Sequence, residues 1–206
     1  SFFLKSAPLA ELQKTAHAIR LAKHPSPYVT FVIDTNPNYT NICTVQCSFC
    51  AFCRKKTASD AYCKTPQEIL SHFAYAKKMN ATTVLLQGGV FENISIDYLV
   101  EIVKLAQQHY PEIHPHFYSA VEIWNAAQVS GISVREALKR LYDAGMRTLP
   151  GGGAEIIVER IRRALSPQKI GPNGWLTLHK LAHSIGFTST ATMMYGHIET
   201  LDEIIE

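Results

Sequence analysis

Cys43-Thr-Val-Gln-Cys47-Ser-Phe49-Cys50 places three thiols at C-x3-C-x2-C spacing within a long stretch of irregular pattern that ends near Thr65. Loops beyond roughly 12–15 residues inside a compact domain are either functional or disordered, and this one holds all five cysteines of the chain, so it reads as functional. An odd number of cysteines, at 43, 47, 50, 53 and 63, makes a poor disulfide framework. Crowded thiols in a reducing compartment bind metal more often than they pair.

Working outward, the flanking sequence alternates strand and helix. Upstream, Leu9, Leu12, Ala16 and Ile19 recur at helical spacing, which predicts an amphipathic helix over Leu9–Lys23; Pro25 and Pro27 stop it before a strand over Tyr28–Asp34. Downstream, Thr65 and Glu68 form a capping box with Pro66 at the first helical position. Strands are expected over Thr82–Gln87, His114–Ser119, Met146–Leu149 and Phe187–Met194. Between them, helices are expected after Ser95, over Ala120–Ser130, over Val134–Ala144 capped by Ser133, over Ala154–Leu165 and over Gly174–Ile185 closed by Gly186. Thr200 and Glu203 open one more helix.

Strand then helix, repeated five times, means parallel strands with crossover helices. The expectation is an α/β fold, a partial (β/α) barrel over residues 28–206 preceded by a helix and linker at 1–27. Five strands do not close a barrel, so the sequence reads as C-terminally truncated, with its last strand or strands missing.

Composition bounds the function. The chain has 206 residues, a net charge of +3, 47% apolar and 18% charged residues, an ordinary globular mixture that gives no case for a nucleic-acid partner. No apolar run approaches the roughly 20 residues that span a bilayer, and Ser1–Ala10 lacks the form of a signal peptide, so a cytoplasmic protein without a membrane partner is expected.

In β/α barrels, function gathers at the C-terminal ends of the strands. Those ends carry Cys43 to Cys50, then Gln87-Gly88-Gly89, then Ser119 and Glu122, then Gly151-Gly152-Gly153-Ala154-Glu155, and finally Tyr195-Gly196-His197. Three thiolates at this spacing can each take one corner of a 4Fe–4S cubane and leave the fourth iron open to a small chelating ligand. The competing reading is a zinc or ferredoxin-type module with Cys53 as fourth thiolate. The bacterial ferredoxin run assigns its fourth cysteine to a second cluster, and no second cysteine group exists here. Cys63 reads as a free thiol. The backbone at Gly88-Gly89 suits the ammonium of a bound ligand, Glu155 and Glu122 suit ribose or substrate contacts, Arg162 suits a carboxylate, and His197 is a candidate catalytic group.

The C-x3-C-x2-C spacing, with the aromatic Phe49 before the last cysteine, resembles the radical S-adenosylmethionine superfamily. The resemblance implies that Cys43, Cys47 and Cys50 hold a 4Fe–4S cluster whose open iron is chelated by S-adenosylmethionine, with Phe49 near the adenine. Gln87, Gly88, Gly89, Ser119, Glu122 and Arg162 are the expected cofactor contacts, and Glu155 and His197 the expected catalytic residues. Within the superfamily, Thr30-Phe-Val-Ile-Asp34, Asn38-Tyr-Thr-Asn41, Leu149-Pro-Gly-Gly-Gly-Ala-Glu-Ile156 and Ala191-Thr-Met-Met-Tyr-Gly-His197 look like the futalosine-pathway enzymes of menaquinone biosynthesis. Phe31-Val-Ile-Asp34, Gln87, Ser166-Pro167 and Met193-Met194 favour the dehypoxanthine futalosine cyclases. Ala120-Val-Glu-Ile123 and Leu149 lean toward the aminodeoxyfutalosine synthases. The cyclase resemblance implies abstraction of the ribose C4′ hydrogen of a nucleoside substrate, addition to its benzoate ring, and loss of an electron and a proton. An electron donor, whose identity is not legible, is implied as partner. Cys53 stands where these relatives carry tyrosine.

Overall fold

The computed structural model describes residues 2–206. By its internal contacts the chain forms two units, one running from Val32 to Met194 and the other joining the N-terminal stretch through Phe31 to Tyr195–Glu206.

In the larger unit, β1 (Asp34–Thr35), β2 (Thr83–Val84) and β3 (His114–Pro115) pair in parallel in that order, and β4 (Thr148–Leu149) pairs in parallel with β5 (Thr188–Ser189). Between β3 and β4 the link is made by side chains: the rings of His114 and His116 both reach the Thr148 hydroxyl at 2.7 Å. The intervening helices are α3 (Pro66–Lys78), α4 (Ile96–His109), α5 (Ala120–Val129), α6 (Val134–Asp143), α7 (Glu159–Leu165) and α8 (Pro172–Ile185). This is the strand–helix alternation of an incomplete β/α barrel. Leu86, Phe117 and Leu149 are buried at the strands, and Phe73, Leu99 and Leu138 pack against them from the helices.

The helix starts follow from their caps. Thr65 accepts the Glu68 N–H while Glu68 accepts the Thr65 N–H, closing the capping box, and the Ser95 and Ser133 hydroxyls accept the N–H groups of Tyr98 and Glu136. The strands are shorter than the apolar runs suggest. Tyr28 to Val32 lies outside any strand, with Phe31 83% exposed, because regular pairing begins only where Thr82 donates to the Ile33 carbonyl. The helix expected from Ala154 begins instead at Glu159, since Gly153 and Glu155 take left-handed backbone, φ 82° and 52°.

In the smaller unit, α2 (Leu9–Lys23) follows a short α1 (Phe2–Lys5) that the sequence pattern did not announce, and α9 (Leu201–Ile205) carries the Thr200–Glu203 capping box. The apolar stripe of α2 buries no residue.

His179, on α8, is 5% exposed, stacks against Trp175 with ring centroids 4.0 Å apart, and has no hydrogen-bond partner at either nitrogen. Burial, aided by the charge of His183, pulls its pKa down to about 4. An unfolded histidine titrates near 6.5, so between 6.5 and 4 the unfolded chain binds the extra proton and stability is lost as pH falls. The full loss is of the order of 3 kcal/mol. The variant His179→Leu is expected to lose that share of the acid slope, which denaturant unfolding at neutral pH and near pH 4.5 would measure.

Candidate functional site

A cavity of about 260 Å³ opens at the strand tips of the larger unit. Cys43, Cys47 and Cys50 line it together with Phe49, Gln87, Gly88, Gly89, Ser119 and Glu122. Nine residues far apart in sequence thus share one enclosure, all supplied by the segments after β1, β2 and β3.

The cysteine loop is held by backbone bonds on three sides. Cys43 donates to the Arg54 carbonyl at 3.1 Å and Arg54 to Asn41 at 2.8 Å. Thr44 donates to the Val90 carbonyl at 2.8 Å, and Ser48 donates to the Leu165 carbonyl at the end of α7 at 2.9 Å. In return the Val90 N–H points at the Cys43 sulfur, 3.3 Å away. Hydrogen bonds to ligand sulfurs are one of the means by which proteins set the potential of an iron–sulfur cluster. Cysteines of a cubane each bind a different iron, so they ring a volume rather than meet at a point. Among the described residues, no three His, Cys, Asp or Glu groups meet as a single ion requires. Three thiols at C-x3-C-x2-C spacing on one cavity are a donor set that suits a cluster.

Cys53 also lines the cavity, but its thiol donates to the Cys43 carbonyl at 3.4 Å, and burial together with the neighbouring cysteines pushes its pKa up. Cys63 is exposed and pairs its backbone with Thr40.

The two glycines sit where nothing larger fits. A Cβ on Gly88 would lie 2.5 Å from the Tyr39 ring, and one on Gly89 would run into the Ile42 carbonyl. Glu122, 4% exposed, holds this corner: its carboxylate accepts from the Tyr39 hydroxyl (2.8 Å), the Gly88 N–H (2.8 Å), the Ser119 N–H (2.7 Å) and the Ser119 hydroxyl (2.6 Å). Burial pushes its pKa up, against those four bonds. These four donors use the carboxylate's lone pairs, so Glu122 organises the cavity wall from within. Tyr118, just before Ser119, takes φ 52° and is locked by its buried ring and by its hydroxyl on the Leu99 carbonyl.

Three expected residues are placed differently. Arg162 does not itself line the cavity: it is buried at 3% exposure, and its guanidinium donates to the carbonyl of Gly153, which does, and to those of Ala154 and Ile170. Glu155 also stands behind the wall, accepting from Lys169 at 2.6 Å. His197 belongs to the smaller unit, where the backbone N–H groups of residues 196–198 converge on Glu199 and hold its pKa at about 2. Lys169 itself lines the cavity and was not singled out from the sequence. No local pattern marks it, since it meets Glu155 only across 14 residues.

Comparison with known proteins gives four findings. Residues 37–206 match the family model of the radical SAM superfamily. The chain is 40% identical over 95% of its length to 5-amino-6-(D-ribitylamino)uracil–L-tyrosine 4-hydroxyphenyl transferase of Methanococcoides burtonii, of which it covers 54%. It is 36% identical over 97% of its length to cyclic dehypoxanthine futalosine synthase of Halalkalibacterium halodurans, again covering 54%. It therefore spans about half the length of the curated relatives it matches. Among solved structures, HydG, a maturase of the [FeFe]-hydrogenase, superposes with a TM-score of 0.71 at 18% identity over 94% of this chain and 41% of that one, a likeness of fold. No helix among the described residues is long and apolar enough to cross a membrane.

Proposed function

We propose, because this chain belongs to the radical SAM superfamily, that Cys43, Cys47 and Cys50 hold the 4Fe–4S cluster that the superfamily uses with S-adenosylmethionine, and that the chain cyclises dehypoxanthine futalosine. The observation that carries the first part is the meeting of three thiols, the Gly88-Gly89 backbone and Phe49 on one cavity. When bound, the cluster and S-adenosylmethionine, with an external one-electron donor, supply a 5′-deoxyadenosyl radical that removes a hydrogen atom from substrate. The chain's own residues provide the setting. Glu122 fixes the glycine pair, the Val90 N–H donates to the Cys43 sulfur, and the half-exposed Phe49 ring offers a stacking face. Positioning of one C–H bond within about 3–3.5 Å of the reactive carbon, with water excluded, makes one abstraction outrun the rest.

The cyclase reading is supported by the Halalkalibacterium relative and by the stretches Phe31–Asp34, Gln87, Ser166-Pro167 and Met193-Met194. A second reading, transfer of the tyrosine 4-hydroxyphenyl group to 5-amino-6-(D-ribitylamino)uracil, is favoured by the higher identity to the Methanococcoides relative. The test uses the whole reconstituted protein with substrate deuterated at the ribose C4′. The label is expected in 5′-deoxyadenosine, with a product two hydrogens lighter than the substrate. Turnover only with the ribitylaminouracil and L-tyrosine would replace the cyclase reading by the transferase. An adenosyl group covalently joined to product would point to aminodeoxyfutalosine synthase chemistry instead.

A further inference from the structure

Lys169 is the one cationic side chain among the described residues that line the cavity. Its side chain is 8% exposed, and its ammonium lies 2.6 Å from the Glu155 carboxylate, itself 11% exposed. The same ammonium stands 5.5 Å from the centroid of the Phe49 ring. A lysine buried to this degree needs a counter-ion, and Glu155 supplies it from behind the wall. The backbone is bent to do so: Glu155 takes φ 52°, and Gly153 beside it takes φ 82°, where a Cβ would strike Val121. An ammonium has three donors, and Glu155 accepts one of them. A fixed cation on a cavity wall, with donors beyond the one that Glu155 takes, is a receptor for a carboxylate.

We infer that Lys169 binds the carboxylate of the substrate, and that Glu155 is the positioning residue that keeps its ammonium in place. The inference deepens the function proposed above and rests on it for the substrate class. Both readings supply such a group, the benzoate of dehypoxanthine futalosine in one and the carboxylate of L-tyrosine in the other.

The test measures binding to the whole protein, reconstituted and loaded with S-adenosylmethionine, by calorimetry without reductant. Two acid–neutral pairs serve as probes: dehypoxanthine futalosine with its methyl ester, and L-tyrosine with L-tyrosinamide. In the wild type the acid of whichever pair binds is expected to bind about 10- to 100-fold more tightly than its neutral partner, the range of a hydrogen bond to a charged group. Lys169→Met is expected to erase that ratio with affinity for S-adenosylmethionine unchanged, and Lys169→Arg to restore part of it. Glu155→Gln is expected to reduce the ratio, and the charge-reversed pair Glu155→Lys with Lys169→Glu to recover the melting temperature but not the ratio. Which pair binds decides between the cyclase and the transferase, whereas the ratio alone decides the role of Lys169. An unchanged ratio in a Lys169→Met protein of normal iron content would overturn the inference. So would a loss of S-adenosylmethionine affinity in place of the ratio, or binding of neither acid by the wild type.

Discussion

Alanine at Cys43, Cys47 or Cys50 is expected to leave the anaerobically reconstituted protein without its cluster, while Cys53→Ser keeps iron content and the ability to cleave S-adenosylmethionine. Each of the three thiols binds its own corner of a cubane, so losing one leaves two protein ligands for four irons. The fourth thiol of the cavity is no substitute in place. Its S–H donates to the Cys43 carbonyl, and burial pushes its pKa up, whereas a cluster ligand is a thiolate. A serine hydroxyl at 53 can make the same bond to that carbonyl. Iron and sulfide per chain, together with the absorbance of the reconstituted protein, read the outcome. Loss of iron from the Cys53 variant as complete as from the other three would show four thiolate ligands and remove the open iron on which the radical chemistry depends.

The parts of this molecule that were legible in the sequence are those decided by neighbours in the chain. The caps at Thr65, Ser95, Ser133 and Thr200 fall where they were read because a hydroxyl and an N–H three residues on need no other element. The cysteine spacing was legible for the same reason. Strand length was not, since it depends on a partner: Phe31 and Val32 have strong strand propensity, yet no strand runs alongside them. The long loop between β1 and α3 resisted reading because its order comes from distant pairs, Asn38 with Gln87 and Ile42 with Arg54. In the site, Glu122 was singled out by its place just after the third expected strand, but that its carboxylate caps at Ser119 and also takes Gly88 and Tyr39 is a matter of tertiary placement. Glu155 was chosen and Lys169 passed over because a carboxylate following three glycines is conspicuous, whereas a lysine between two helices is one of 20 basic residues. The structure reverses their order at the wall, with the lysine in front.

Substituting Gly89 with alanine is expected to abolish cluster assembly as completely as losing a ligand, although Gly89 offers no side chain to the metal. At this point the tip of β2 and the cysteine loop are interlocked. The Gly89 N–H donates to the Thr40 carbonyl at 3.0 Å, the next N–H, from Val90, reaches the Cys43 sulfur, and Thr44 returns a bond to the Val90 carbonyl. A methyl group on Gly89 would drive into the Ile42 carbonyl and stand 2.9 Å from the Cys43 Cβ. Both obstacles belong to the backbone or stem of the loop that carries the first ligand, so neither can swing aside as a flexible side chain would. Relief requires the two segments to part, which breaks the bonds on either side and displaces Cys43 from Cys47 and Cys50. Overpacking alone costs about 1–3 kcal/mol in a core that can adjust, and this contact is against main chain. Gly152→Ala, elsewhere on the same cavity, is the control. Its methyl would meet the end of the Gln87 side chain at 3.0 Å and otherwise only the Ser119 Cβ at 3.7 Å, so the cluster loop is untouched. Reconstituted Gly89→Ala is expected to carry less than about a tenth of the wild-type iron, as follows when metal binding is coupled to the local fold, and Gly152→Ala close to the full amount. Equal iron in the two variants would mean that the cysteine loop and the β2 tip are free to separate without loss of the ligand geometry.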